Sequence, residues 1–188
     1  RGLGDVYKRQ IFYRIAPRER WQKMLDAIWQ DPPGLVRCTT PYMMFYVASA
    51  LMIAGRKSQA LELIRDYWGE MIRRGATTFW EVFDRRTPPG WIPGPSTSLC
   101  HGWSAGPASL LPEWVAGVHC AQPGWKAAWI EPYLGKLKWL KACVPTPYGL
   151  ITVSWRKEDA GLTGRVRLPE PVSAKVVLPC NPRRAVLQ

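Results

Sequence analysis

The residues best suited to chemistry lie between Gly75 and Gly106. Glu81 and Asp84 stand three apart beside Phe79 and Trp80, in a segment bordered by turn-forming residues. Carboxylates among aromatic side chains are costly to bury unless they are paired or used. Glycosidic hydrolysis commonly needs two carboxyl groups, one as acid and one as base or nucleophile. Aromatic rings beside them can stack on the apolar faces of a sugar, and Asn, Arg or His can hydrogen-bond its hydroxyls. Trp91, His101 and Trp103 follow in the same region, and the 11 tryptophans of the chain strengthen a carbohydrate reading. Spacing alone leaves plainer readings open. Glu81 also fits as the i,i+4 partner of Arg85, and His101 as a core histidine. Trp80, Trp91 and Trp103 fit equally as core or lid residues. Glu81 and Asp84 are too close in sequence to make a secure acid and base pair.

The elements that must position these residues are helical up to about Gly117. Pro17 suits a helix start, and Trp21, Leu25, Ile28 and Trp29 then recur at helical spacing. Asp31-Pro32-Pro33-Gly34 ends that helix. Pro41 opens a second, apolar on nearly every side and so expected to be buried, with Gly55 as its C-cap. A third runs from about Ser58 to Arg73 and is broken by Gly75. The prolines and glycines from Pro88 to Pro95 make a loop, after which Ser96, Thr97 or Ser98 can cap a helix carrying His101 and Trp103. Pro107 and Pro112 are expected to interrupt or kink the segment before Trp114 and Val115. Buried and amphipathic helices joined by such loops suggest a layered or toroidal helical fold.

The periodicity changes near Gly117, and Val118 to Gly124 is expected to be a junction. Candidate strands are Trp125–Ile130, Lys136–Trp139, Ile151–Trp155, Leu162–Leu168 and Val172–Leu178, bounded by prolines. Five short strands with no helix between them imply a small antiparallel β-domain. The expected division is 11–117 helical and 118–188 β, an all-α part followed by an all-β part.

Composition narrows the function. The formal net charge is +12, but Lys and Arg are scattered, with no basic helix face or zinc-finger spacing, so a nucleic-acid partner is not expected. No apolar run approaches the roughly 20 residues of a membrane span, so no membrane partner is expected either. The cysteines, Cys38, Cys100, Cys120, Cys143 and Cys180, are odd in number and contain no close ligand pair. Cys100-His101 and His119-Cys120 supply zinc-type ligands, yet sequence neighbours rarely point at one ion. Buried free thiols are the expectation, with no metal site. Arg1–Gln10 fits poorly with the helical pattern beyond it and resembles translated adaptor sequence, so no part in the fold is expected of it. The chain opens without Met and with no signal-peptide pattern, and it reads as part of a longer polypeptide.

From Tyr42 onward the sequence resembles the end of the alpha-L-rhamnosidases, glycoside hydrolase family 78. The matching stretches are Ala60-Leu61 and Ile64-Arg65 before Trp68-Gly69, then Gly75-Ala76-Thr77-Thr78-Phe79-Trp80-Glu81. Ser98-Leu99-Cys100-His101-Gly102-Trp103-Ser104-Ala105-Gly106, Pro123-Gly124-Trp125-Lys126, Pro145-Thr146-Pro147-Tyr148-Gly149 and Val153-Ser154-Trp155 come next, in family order.

The resemblance implies the last helices of a six-hairpin (α/α)6 barrel followed by a small antiparallel β-sandwich. It implies hydrolysis of terminal alpha-L-rhamnosides with inversion, and rhamnose-containing glycosides or polysaccharides as substrates. Glu81 falls on the family's general base and His101 on its rhamnose pocket, with Trp80 and Trp103 as further substrate-binding positions. No cofactor is implied. A donor such as His101 is expected to help keep the base ionised. Two departures stand out. The general acid lies upstream of the matching segment, so this chain carries half a site and is expected to be inactive alone. Cys100 stands where Asn is familiar beside the histidine. The competing readings are another helical-barrel glycosidase or polysaccharide lyase, and a non-catalytic carbohydrate-binding module.

Overall fold

A computed structural model describes residues 3–30, 40–84, 86–88, 90–159 and 161–178. The chain divides into two units, Arg1–Pro107 and Ala108–Gln188. The first contains helices α1 (Leu3–Phe12), α2 (Arg18–Gln30), α3 (Pro41–Ile53) and α4 (Lys57–Arg73). The short helix α5 (Gly106–Leu110) spans the division.

Local chemistry sets the helix ends. Thr40 caps α3, its side chain accepting from the Met43 amide, and Pro41 takes the first-turn position where its missing N–H costs nothing. Gly55 (φ +81) closes α3 in a Schellman turn, with Gly55 N donating to Met52 O and Arg56 N to Leu51 O. Gly75 (φ +90) repeats the device on α4, with Gly75 N on Ile72 O and Ala76 N on Met71 O. One face of α4 buries Ala60, Ile64, Tyr67, Trp68 and Met71 at helical spacing. Each large apolar side chain so buried stabilises by about 1.5–3 kcal/mol. Between α2 and the start of α4, Arg56 pairs with Asp26 at 2.7 Å and donates to Gln22 Oε1 at 2.6 Å.

Several expectations are revised here. The helix α3 buries its second half, Val47 to Met52, but Tyr42 to Tyr46 are half-exposed. No serine-capped helix carries His101. The chain makes a single 3-10 turn over Gly102–Ser104 without a side-chain cap. Pro107 does not interrupt α5, since it sits in the first turn. Pro112 does interrupt the α-helix, as expected: α5 ends at Leu110 and a π-turn, Leu111–Val115, follows, whose widened backbone accommodates the missing donor. The N-terminal segment, expected to take no part in the fold, is not without structure: α1 packs on α2 and α3, and Lys8 and Ile11 are buried. The end of the helix at Asp31-Pro32-Pro33-Gly34 lies outside the described residues.

Among the described residues the second unit holds six strands, one more than expected. Strands β1 (Val118–Cys120), β2 (Ala127–Ile130) and β6 (Ser173–Val176) form one sheet in the order β1-β2-β6. Strands β3 (Trp139–Thr146), β4 (Gly149–Glu158) and β5 (Gly161–Arg167) form a second sheet in sequence order. Val118–Cys120 is a strand rather than part of a junction, while Lys136–Lys138 only lead into β3. The β-domain is not wholly antiparallel, because β6 pairs parallel with β2. The connection between them contains the entire second sheet, which gives the chain the length to return in the same direction. Ile151, Val153 and Trp155 of β4 point inward, and the Trp155 ring lies across Gly164, where an added Cβ would fall 1.9 Å from it. No helix among the described residues is long and apolar enough to cross a membrane.

The thiols differ from expectation as well. Cys100, Cys120 and Cys143 are free but exposed, and Cys38 and Cys180 lie outside the described residues. Cys143 alternates with buried Val144 along β3 and so faces outward.

Gly117 (φ +77) is a tight backbone position, since a Cβ there would stand 2.1 Å from the Glu131 carbonyl oxygen. Gly117→Ala should lower stability by at least about 1–3 kcal/mol, from the left-handed backbone alone. Denaturant unfolding of the full-length protein with and without the substitution checks this, and an unchanged midpoint would refute it.

Candidate active site

Two extended segments meet to build the site. Glu81 N donates to Ser98 O at 2.9 Å, and His101 N donates to Phe79 O at 2.8 Å. Thr78 Oγ1 adds a bond to Leu99 O. These bonds close the proline- and glycine-rich loop and set Glu81 beside His101. The Glu81 carboxylate is itself held, because Oε2 accepts from Ser98 N at 2.9 Å. His101 Nδ1 stands 3.7 Å from the same oxygen. Oε1 has no partner among the described residues. Both side chains are partly open, at 28% exposure for Glu81 and 30% for His101.

Neighbouring side chains in an extended segment project to opposite sides. Trp80 is accordingly buried while Glu81 reaches solvent, and the Trp80 ring packs edge-on against Phe83 at 6.0 Å. Phe83 is fixed in turn by Tyr67, which donates its hydroxyl to the Phe83 carbonyl, and by the Tyr67 ring at 5.3 Å. The apolar core of α4 therefore anchors the strip that presents Glu81.

His101 continues into an aromatic cluster. Its ring lies 4.4 Å from that of Trp103, which is 50% exposed and stacks on Tyr42 at 5.2 Å with an interplanar angle of 29°. Tyr42 shares a hydroxyl–hydroxyl bond of 3.1 Å with Tyr46. That bond, together with burial, pushes the Tyr46 phenol well above its ordinary range. The turn that carries Trp103 is tied to α4 by Trp68 Nε1, which donates to Ser104 O at 2.8 Å. Gly106 permits this closeness, since a Cβ there would press on Phe45 and Trp68 at 3.2–3.3 Å.

Glu81, His101 and Trp103 thus come together, while Trp80 backs them from the core. Asp84 does not join them. Its carboxylate is engaged by Arg86, with Nε on Oδ1 at 2.8 Å and the Arg86 amide at 3.0 Å. Arg85, the alternative partner for Glu81, lies outside the described residues. No ring contact joins Trp91 to the cluster among the described residues, and its amide donates to Pro88 O within its own loop. Among the described residues no group of three or more His, Cys, Asp or Glu stands close enough to hold a metal ion. Sequence reasoning missed Tyr42 and Tyr46. Two tyrosines four apart on an otherwise apolar helix were the available signal.

The fold is that of a helical glycosidase domain joined to a β-domain. Its overlay on the GH78 family rhamnosidase of Bacillus sp. GL1 gives a TM-score of 0.82 at 33% identity, over 94% of this chain and 19% of that one. Residues 19–115 match the bacterial alpha-L-rhamnosidase 6 hairpin glycosidase domain, and residues 117–188 match the bacterial alpha-L-rhamnosidase C-terminal domain. The chain belongs to the alpha-L-rhamnosidase family. The alpha-L-rhamnosidase of Alteromonas sp. (strain LOR) is 34% identical over 141 residues, covering 72% of this chain and 15% of that protein. The Streptomyces avermitilis alpha-L-rhamnosidase solved with L-rhamnose shares the fold, with a TM-score of 0.78 at 19% identity over 92% of this chain and 18% of that one. The chain therefore spans under a fifth of the length of these relatives.

Arg74 is the staple between α4 and the loop after Glu81. Its side chain is nearly buried, pairs with Glu70 at 2.9 Å, and donates to Thr87 Oγ1 at 2.7 Å and Thr87 O at 3.0 Å. The same bond from Arg74, reinforced by Arg73, holds the Glu70 carboxyl below the usual carboxylate range. Any stability from that carboxylate is present above the ordinary carboxylate pKa and is lost as pH falls through the lowered one. Arg74→Ala should destabilise by about 1.5–3 kcal/mol, and Arg74→Lys should recover little, since an ammonium cannot reproduce the fork. Urea unfolding of the full-length variants measures both, and a neutral Arg74→Ala would show that the loop is held otherwise.

Proposed function

We propose that the polypeptide containing this chain hydrolyses terminal alpha-L-rhamnosides with inversion of configuration, and that this chain supplies the general base. The observation that carries the reading is the Glu81 carboxylate: Oε2 is anchored by the Ser98 amide and lies 3.7 Å from His101 Nδ1, the His101 ring adjoins Trp103, and Oε1 has no partner among the described residues. A base needs this division. One oxygen is fixed so that the other can meet a water at a constant angle.

Glu81 Oε1 takes a proton from that water as its oxygen attacks the anomeric carbon. The glycosidic bond breaks on the opposite face, and the leaving oxygen is protonated by a carboxylic acid from the upstream part of the polypeptide. Inversion places the two carboxyl groups about 6.5–9.5 Å apart, leaving room for the water. His101 hydrogen-bonds a sugar hydroxyl, the exposed Trp103 ring covers an apolar sugar face, and Trp80 shapes the pocket from behind. The residues to about Gly117 are the last hairpins of a six-hairpin barrel, and those from Val118 form a β-sandwich. Rhamnose-containing glycosides or polysaccharides are the substrates. Membership of the alpha-L-rhamnosidase family supports this substrate class over that of another barrel glycosidase or a lyase.

Glu81→Gln keeps size and packing but removes the charge that draws the proton. In the full-length enzyme kcat should fall about 10²–10⁴-fold with the melting temperature unchanged. Azide, which needs no base, should restore turnover in part and give a glycosyl azide of inverted configuration. His101→Ala should raise KM as well as lower kcat, because it removes a contact to the sugar. Normal turnover by Glu81→Gln, measured on a synthetic rhamnoside, would exclude Glu81 as the base. The 188-residue chain alone should show no turnover of the same rhamnoside, and a rate like that of the intact enzyme would contradict the half-site reading.

A further inference from the structure

The outer face of the β3-β4-β5 sheet carries a groove that the proposed hydrolysis does not use. The strand register sets Trp139, Arg156 and Thr163 in one row and Lys141, Ser154 and Arg165 in the next. The intervening row, with Leu140 and Trp155, faces inward and is buried. In the second row the short Ser154 of the middle strand lies between the longer Lys141 and Arg165, and Trp139, Arg156 and Thr163 border it. The resulting groove is shallow and open to solvent, with a volume of ≈ 330 Å³.

A polar outer face is ordinary for an antiparallel sheet. An indole at 57% exposure is not. Lys141, Arg156 and Arg165 have no ion-pair partner among the described residues. The one carboxylate in the groove, Glu158, accepts from Thr163 Oγ1 at 2.9 Å. Three cations against one carboxylate select an anion, and a flat ring beside them selects a ligand with an apolar face.

We propose that this groove binds a uronate-bearing oligosaccharide, with Trp139 stacked on a sugar ring and Lys141, Arg156 and Arg165 facing its carboxylates. The choice of a sugar as the carrier of the charge rests on the rhamnosidase reading above. A single strand of nucleic acid fits less well, because such sites offer successive rings for successive bases, and this groove has one exposed ring.

The test is affinity electrophoresis of the full-length enzyme in gels containing polygalacturonate, a neutral galactan, polyglutamate or single-stranded DNA. The native enzyme should be retarded by polygalacturonate, more weakly by polyglutamate and DNA, and not by galactan. Trp139→Ala and Arg165→Ala should each weaken the polygalacturonate interaction about tenfold or more. Hydrolysis of a small synthetic rhamnoside and the melting temperature should stay at native values, since both residues are exposed and outside the active site. Absence of retardation, equal retardation by polyglutamate or DNA, or unchanged retardation of Trp139→Ala would overturn the proposal. Retardation that depends on Trp139 in an enzyme inactive on rhamnosides would sustain the groove and sink the hydrolytic reading instead.

Discussion

The candidate site depends on the pairing of Phe79–Glu81 with Ser98–His101. Neither segment has regular secondary structure, and the loop between them is rich in proline and glycine. Two backbone bonds and one amide-to-carboxylate bond bring Glu81 and His101 to the same place. Without that pairing Glu81 would be a surface carboxylate on a loop. With it, one carboxylate oxygen is fixed and the other has no partner among the described residues. Prolines in the intervening loop restrict the backbone, so less conformational entropy is lost on closing it.

The pairing rests on α4 at both ends. Tyr67 and Phe83 fix the segment that carries Glu81, and Trp68 holds the turn after His101 through the Ser104 carbonyl. Two adjacent aromatic residues on one helix thus serve two loops. The helix in turn is terminated by Gly75, so its C-terminal turn delivers the chain directly into Thr77–Glu81. Burial of the α4 face is therefore the energetic base on which the exposed, polar site is built.

The parts of this arrangement that are legible in the sequence are the local ones. Pro41, Gly55 and Gly75 mark helix ends because their effect on the backbone operates within one turn. The two-residue alternation of Ile151, Val153 and Trp155 marks β4 for the same reason, and family motifs lead to Glu81 and His101. What escapes is non-local. The stacking of Tyr42 on Trp103 joins residues far apart in the chain, and the parallel return of β6 onto β2 depends on everything folded between them. Pro112 marks an interruption of the α-helix, but the sequence does not show that its form is a π-turn.

Glu81 acts as a base on water only if the reaction inverts, since retention would make the second carboxylate a nucleophile at a carboxyl separation of about 5–5.5 Å. The most direct measurement is proton NMR of the first sugar released from an alpha-L-rhamnoside by the full-length enzyme, recorded before mutarotation. The account predicts that the beta anomer appears first and the alpha anomer grows in later. Initial release of the alpha anomer would contradict it.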